Sequence, residues 1–289
     1  AVYFNAPIFK QRLNWLHFGF GTLGIGRENL AQSINSKMAV SFRGFDIGVY
    51  PVRHPHCYEL LWKRVNKVHV ISDDLAELIR KEGFKDQAPV VKITPAIDTS
   101  FFKASGFNEI KQPLKITTVA RLHWKKGLDY TLKALAALRD KGIKFQYSII
   151  GSGIEYEHLK FSSVQLGLDE EVIFHGELPH EELKKIMSDS MLYLQYSVQE
   201  GFCNAVLEAQ AMGLLCIVSD AEGLSENVQH AKTGWVVPKR QPDKLTEQII
   251  EVLNTAVEMQ KSISYNASKR VVKEFDIRDQ TEAFIRFYE

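Results

Sequence analysis

Leu114-Lys115-Ile116-Thr117-Thr118-Val119-Ala120, followed by Arg121 and then by Leu128–Lys141, reads as a buried strand running into a helix. The first segment is apolar and β-branched, whereas Leu132, Leu135 and Leu138 of the second recur at helical spacing. Phe145–Ile150 is the next strand, closed by Gly151-Ser152-Gly153. The alternation continues through a helix from about Glu155 to Leu166, a strand Val172–Phe174, a helix Glu181–Asp189 and a strand Met191–Tyr196. A helix at Ala205–Met212 leads to strands Leu214–Ser219 and Gly234–Pro238 and a helix Pro242–Asn254. Short apolar strands separated by helices of roughly 10–15 residues predict a parallel sheet covered on both faces. In such sheets ligands bind beyond the carboxyl ends of the strands. Arg121, Gly151 and Glu200 follow strands closely, so one rim collects them.

Upstream, the alternation is thinner. Leu13–Phe18, Met38–Phe42, Val68–Ile71 and Val90–Thr94 read as strands, with helices at Arg27–Ile34, Cys57–Val65 and Asp74–Glu82. A join near Thr99–Pro113, carrying Ser105-Gly106, separates two α/β domains, placed at 1–107 and 108–274. The segment Ile263–Glu289 is helical and amphipathic, and its end, 275–289, is expected to pack back on the first domain.

A chain of 289 residues suits two domains. Its 45% apolar and 25% charged residues are those of a globular protein. A net charge of +1 gives no ground for bulk nucleic-acid binding. Three cysteines, Cys57, Cys203 and Cys216, make neither a disulfide framework nor a metal-like spacing. Together with the absence of any apolar run near the roughly 20 residues that span a bilayer, they point to the cytoplasm. The patch Leu60-Leu61-Trp62-Lys63-Arg64 leaves peripheral contact with a membrane surface open, although a half-buried amphipathic helix accounts for it as well. The opening Ala1-Val2-Tyr3-Phe4-Asn5 has neither a charged n-region nor an initiating Met, and reads as a chain begun partway along.

The chemistry concentrates in Glu200-Gly201-Phe202-Cys203-Asn204-Ala205-Val206-Leu207-Glu208. Glu200 lies ahead of a helix start and Glu208 about one turn inside it. Unpaired N–H groups and the helix dipole make the start an anion site between two carboxylates. Carboxylates accept from hydroxyls, so a ligand with hydroxyl-rich halves joined through phosphate matches the arrangement; a nucleotide sugar is such a compound. A first-turn glutamate favoured by the dipole explains one acid, not both. Arg121 and Lys126 can converge on one diphosphate, although a solvated basic loop explains that segment taken alone. Gly151 lets backbone approach a ligand, or simply makes a turn. Arg43 and Asp46, at a strand end of the first domain, either touch the reacting sugar or pair with each other. Gly19-Phe20-Gly21-Thr22-Leu23-Gly24 meets the G-x-G-x-x-G template, with Asp46 in the ribose position, but dinucleotide binding leaves the downstream rim unexplained. No Asp-x-Asp occurs, which tells against a metal-held diphosphate.

Taken together, these residues resemble the retaining glycosyltransferases of family 4, the "group 1" glycosyl transferases of GT-B fold. The resemblance runs from His17 onward and is strongest over Lys115–Pro238, where Arg121 and Lys126, the Glu200–Glu208 spacing and Gly234-Trp235-Val236-Val237-Pro238 follow the family's order. It implies two Rossmann-like parallel-sheet domains facing a cleft, the first lacking about half of a typical ~150-residue domain. It also implies that Arg121 and Lys126 bind the donor diphosphate, Glu208 the ribose and Glu200 the transferred sugar. Gly201, Phe202, Cys203 and Asn204 would line that sugar and its phosphate through their backbone. The relatives' His-Gly-x-Asp appears here as Arg43-Gly44-Phe45-Asp46, and Cys203 stands where proline is frequent. The implied reaction is metal-independent hexosyl transfer, with retention, from a nucleoside-diphosphate sugar to a carbohydrate, lipid-linked or small-molecule hydroxyl in polysaccharide or glycoconjugate synthesis. No cofactor is implied. A nucleotide-sugar epimerase and a non-catalytic nucleotide-sugar binder are the alternatives.

Overall fold

The computed structural model describes residues 2–104 and 106–289, the side chains of residues 2–4 apart. Ser105 of the expected join lies outside the described residues. The chain forms two compact units, residues 1–95 with 280–289, and residues 96–279.

The first unit holds a parallel sheet of β1 (Trp15–Phe18), β2 (Lys37–Phe42), β3 (Lys67–Val70) and β4 (Val90–Lys92), in that order. All four are the strands expected. The helices are shorter than expected at Leu30–Ser33 and Glu59–Trp62, while Asp73–Lys81 runs nearly full length. That last helix has the side-chain cap and the basic last turn that the other two lack. The Ser72 hydroxyl accepts from the Leu75 amide, Asp73 and Asp74 sit in its first turn, and Arg80 and Lys81 in its last. Val2–Phe9 is an additional helix that its apolar sequence, with Pro7 inside, did not announce. In the Leu60–Arg64 patch, Leu61 and Trp62 are buried and the Trp62 indole donates to the Glu82 carbonyl at 2.9 Å, so these two belong to the core while Leu60 is exposed.

The second unit holds six parallel strands: β5 (Leu114–Val119), β6 (Phe145–Ile150), β7 (Val172–Gly176), β8 (Leu192–Gln195), β9 (Leu215–Ser219) and β10 (Trp235–Val237). Their order is β10-β9-β8-β5-β6-β7. Every residue of β8 and β9 is buried, the pattern of strands covered on both faces. Leu128, Leu132, Leu135 and Leu138 of helix Leu128–Asp140 pack into one core with Ile116, Tyr147, Leu194 and Ile217. The order reverses between β5 and β8: from β5 the chain proceeds outward through β6 and β7, then returns to β8 on β5's other side. The crevice beyond that reversal is where ligands of open α/β sheets bind.

Both domain boundaries expected from sequence need correction. The first lies at Pro95/Ala96 rather than 107/108, because residues 96–107 are bonded into the second unit. There the Thr99 hydroxyl donates to the buried Asp276 carboxylate, the Ala104 amide donates to Ala211, and Phe102 is buried. The second lies at Asp279/Gln280 rather than 274/275, since Asp276 bridges Ile97. From Gln280 onward the last helix, Ile277–Tyr288, joins the first unit. Phe287 stacks on His17, Lys67 donates to the Phe287 carbonyl at 2.6 Å, and Trp15 to the Tyr288 carbonyl at 2.8 Å. No described helix is long and apolar enough to cross a membrane.

Candidate functional site

The site is built where β5 and β8 end side by side. Beyond β5 come the exposed Arg121 and a 3-10 turn, Trp124–Lys126. Beyond β8 comes the loop 196–203. The two loops are tied together: the amides of Val198 and Gln199 both donate to the Lys125 carbonyl, at 2.7 and 3.3 Å. This delivers Lys126 to Glu200, and the two side chains form an ion pair with 19% and 13% of their surface exposed. The Ser197 hydroxyl donates to the same Glu200 oxygen at 3.3 Å. Burial alone would lower the Lys126 pKa. Cys203 and Glu200 outweigh it and hold the ammonium above its ordinary value, while Arg121 opposes them. Glu200 is the effective partner, because burial first and Glu200 second push the Cys203 thiol up to about 12, leaving it neutral. Lys126 is therefore a firmly charged cation within the field of Arg121.

Helix Asn204–Ala211 starts beside this pair. Cys203 precedes it in extended conformation, its neutral sulfur facing the amides of Ala205 and Val206, and no oxygen or nitrogen side chain caps the start. Glu208 lies one turn in, on the same helix. Its carboxylate makes no hydrogen bond among the described residues; desolvation raises its pKa, with His180 pulling in the opposite direction. A half-buried carboxylate with unused acceptor capacity is a receptor for hydroxyl donors.

Arg121, Lys126, Glu200 and the Asn204 helix start thus converge on the β5/β8 crevice, with Glu208 one turn along. Other expected site residues have different employment. The Cys203 amide donates to Asn227 Oδ1 at 3.0 Å, and Asn227 returns a bond to the Cys203 carbonyl, so this amide is not free for a ligand. The Phe202 ring is buried against Phe275. Gly151 has φ +132°, and a Cβ there would lie 2.0 Å from the Ala120 carbonyl oxygen, so close approach of two strand ends accounts for this glycine. Gly151→Ala is accordingly expected to destabilise the protein by about 2 kcal/mol, seen as a lower denaturant midpoint at unchanged slope.

In the first unit, Asp46 is fully buried and accepts from the amides of Gly21, Arg43 and Gly44, each at 2.9 Å. This corrects both expected roles: its carboxylate organises the loops after β1 and β2 and is neither turned to a sugar nor paired with the Arg43 side chain. Its bond to Gly21 also gives the Gly19–Gly24 segment a structural purpose. Sequence reasoning passed over Glu222, Asn227 and His180. Glu222 follows β9 directly at the same rim, and that position was the available signal.

The family model for "Glycosyl transferases group 1" matches residues 101–270. WcaL of Escherichia coli (strain K12), provisionally named a colanic acid biosynthesis glycosyltransferase, is 29% identical over 259 residues, covering 86% of this chain and 62% of WcaL. The chain spans 60 to 66% of the length of the first curated relatives it matches. Among solved structures, sucrose-phosphate synthase of Thermosynechococcus elongatus superimposes with a TM-score of 0.84 at 18% identity, over 99% of this chain and 75% of that one. Anabaena HepE in complex with UDP-glucose superimposes with a TM-score of 0.82 at 16% identity, over 97% and 80%. At such identities these structures speak to fold, and the fold is the expected GT-B architecture of two Rossmann-like parallel-sheet units.

Proposed function

The chain belongs to the glycosyl transferases group 1, and from that premise we propose that it moves a hexose-type sugar from a nucleoside-diphosphate donor to an acceptor hydroxyl with retention of configuration. What supports this reading is the gathering of Arg121, Lys126, Glu200 and a helix start beyond β5 and β8, with Glu208 one turn into that helix. HepE, of the same fold, was crystallised with UDP-glucose, and WcaL is named for colanic acid synthesis. The first supports a nucleotide-sugar donor and the second a role in building a polysaccharide; we place the reaction in the cytoplasm or at the cytoplasmic side of a membrane.

In this mechanism the bond between the anomeric carbon and the diphosphate oxygen breaks, the acceptor oxygen bonds to that carbon on the same face, and its proton passes to the departing diphosphate, on which negative charge has grown. Arg121, Lys126 and the helix start at Asn204 stabilise that charge, an electrostatic contribution that in this reading is made without a metal or a cofactor. Glu208 accepts from the ribose hydroxyls and Glu200 from the hydroxyls of the transferred sugar, fixing both halves about the reacting carbon. The Lys126–Glu200 pair holds both groups ready before the donor arrives. On binding, Lys126 turns its charge to the diphosphate and Glu200 is released to the sugar.

The test is a panel of UDP-, GDP- and ADP-sugars in thermal unfolding. At a hundredfold excess over Kd the correct donor stabilises the chain by about 2.7 kcal/mol, and the midpoint rises accordingly. A midpoint unmoved by every sugar nucleotide in millimolar excess overturns the reading.

A further inference from the structure

Glu200 is held through its backbone as well as its side chain. Its amide donates to Glu222 Oε2 at 3.1 Å, and its carbonyl accepts from the Gly223 amide at 2.9 Å. The two loops touch so closely that a Cβ on Gly223 would lie 1.8 Å from the Gly201 carbonyl oxygen. Three residues back along each loop, the Ser219 hydroxyl donates to the Ser197 carbonyl at 2.5 Å. Glu222 is itself fixed: Lys239 Nζ lies 3.0 Å from its other oxygen, and the Lys239 amide donates to Asp220 at 2.8 Å. A line of charged groups, a cation at each end and two carboxylates between, therefore runs from Lys239 beyond β10, through Glu222 beyond β9, to Glu200 beyond β8 and Lys126 beyond β5; the two carboxylates are linked through the Glu200 amide.

We propose that Glu222, braced by Lys239, is a positioning residue that fixes the backbone of Glu200 and so aims its carboxylate at the sugar of the donor. This rests on the transferase reading above and extends it to residues outside the rim's ligand-facing set. The physical need arises when the donor binds. Lys126 is then drawn to the diphosphate, and the ion pair that holds the Glu200 side chain is lost. A charge-assisted bond to the Glu200 amide does not depend on Lys126 and survives that exchange. The carboxylate then stays in place without having to be ordered anew in each turnover.

The experiment compares Glu222→Ala, Glu222→Gln and Lys239→Met with the parent chain by hydrogen exchange at the Glu200 amide, donor turnover, binding of the sugar-free nucleoside diphosphate, and thermal midpoint. Glu222→Ala is expected to speed exchange at Glu200 and to lower kcat by about tenfold each, the worth of a hydrogen bond to a charged group. Nucleoside diphosphate affinity should stay within about twofold, because that ligand carries no sugar for Glu200 to hold. Glu222→Gln keeps an acceptor oxygen and should recover most of both readouts. Lys239→Met, which frees Glu222 without truncating it, should fall between and serves in place of Glu222→Ala if that variant does not fold. Unchanged exchange at Glu200, unchanged kcat despite faster exchange, or nucleoside diphosphate affinity falling in step with kcat each overturns the proposal. If the parent consumes no sugar nucleotide at all, the transferase reading fails by itself, and the exchange comparison still decides whether Glu222 fixes Glu200.

Discussion

Lys126→Met is expected to lower turnover by about 10²- to 10³-fold, the loss typical of removing one preorganised stabiliser of developing charge. Methionine keeps the aliphatic stem and its packing while deleting the ammonium. Because the leaving diphosphate carries its greatest charge as the bond breaks, the loss should fall on kcat more than on KM. A pure rise in KM with intact kcat would contradict the assignment. The same substitution touches stability. Glu200 loses its counter-ion where only 13% of its side chain is exposed, keeping the Ser197 hydroxyl. Breaking a fully buried pair costs about 3–5 kcal/mol, and a partly exposed one with a remaining donor should cost about 1–3 kcal/mol. Denaturant unfolding beside steady-state kinetics separates the two effects. Lys126→Arg, which restores charge in a different shape, should recover stability better than rate.

Glu208→Ala should weaken donor binding by about 1.5–3 kcal/mol, the range for hydrogen bonds to a charged group, measured by calorimetry. Unchanged affinity removes Glu208 from the site. Its pH dependence has a definite sign. Desolvation raises the folded-state pKa of this carboxyl above that of an ordinary glutamate. Its contribution to stability is therefore fully present below the unfolded pKa and is lost as pH rises through the folded one. Ribose hydroxyls need the ionised acceptor, so donor affinity runs the other way and falls with acidification, beginning at a higher pH than an unperturbed glutamate would dictate. Glu208→Ala should abolish that acid limb of binding. It should also leave the fold near neutral pH as stable as before or more so, since it deletes a desolvated charge with no protein hydrogen bond.

How much of this could be read from residues alone differs between the two units. In the second unit β8 and β9 are buried on both faces, so Met191–Tyr196 and Leu214–Ser219 stand out as short apolar runs between amphipathic helices. In the first unit apolar spacing over 27–34 and 57–65 suggested long helices, yet no side chain caps the short helices found there. The Val2–Phe9 helix escaped notice because Pro7 argues against one. The domain join was placed about a dozen residues late, since composition marks Gly106 and Pro113 while the bonds of Thr99 and Ala104 leave no local pattern.

Periodicity, helix starts and the kinds of side chain beyond each strand follow from the order of residues alone. They set the α/β class, the parallel sheets and the rim that carries Arg121, Lys126, Glu200 and Glu208. The neighbours of each group came only with tertiary structure. The sheet order β10-β9-β8-β5-β6-β7 makes β5 and β8 adjacent across 72 intervening residues, bringing Lys126 to Glu200. Burial then commits the Asp46 carboxylate and the Cys203 amide to other partners and sets Glu222 behind Glu200. The physical reason is range: backbone preference and apolar spacing act over a few residues, whereas an ion pair or a buried hydrogen bond requires two distant segments to have arrived at the same place.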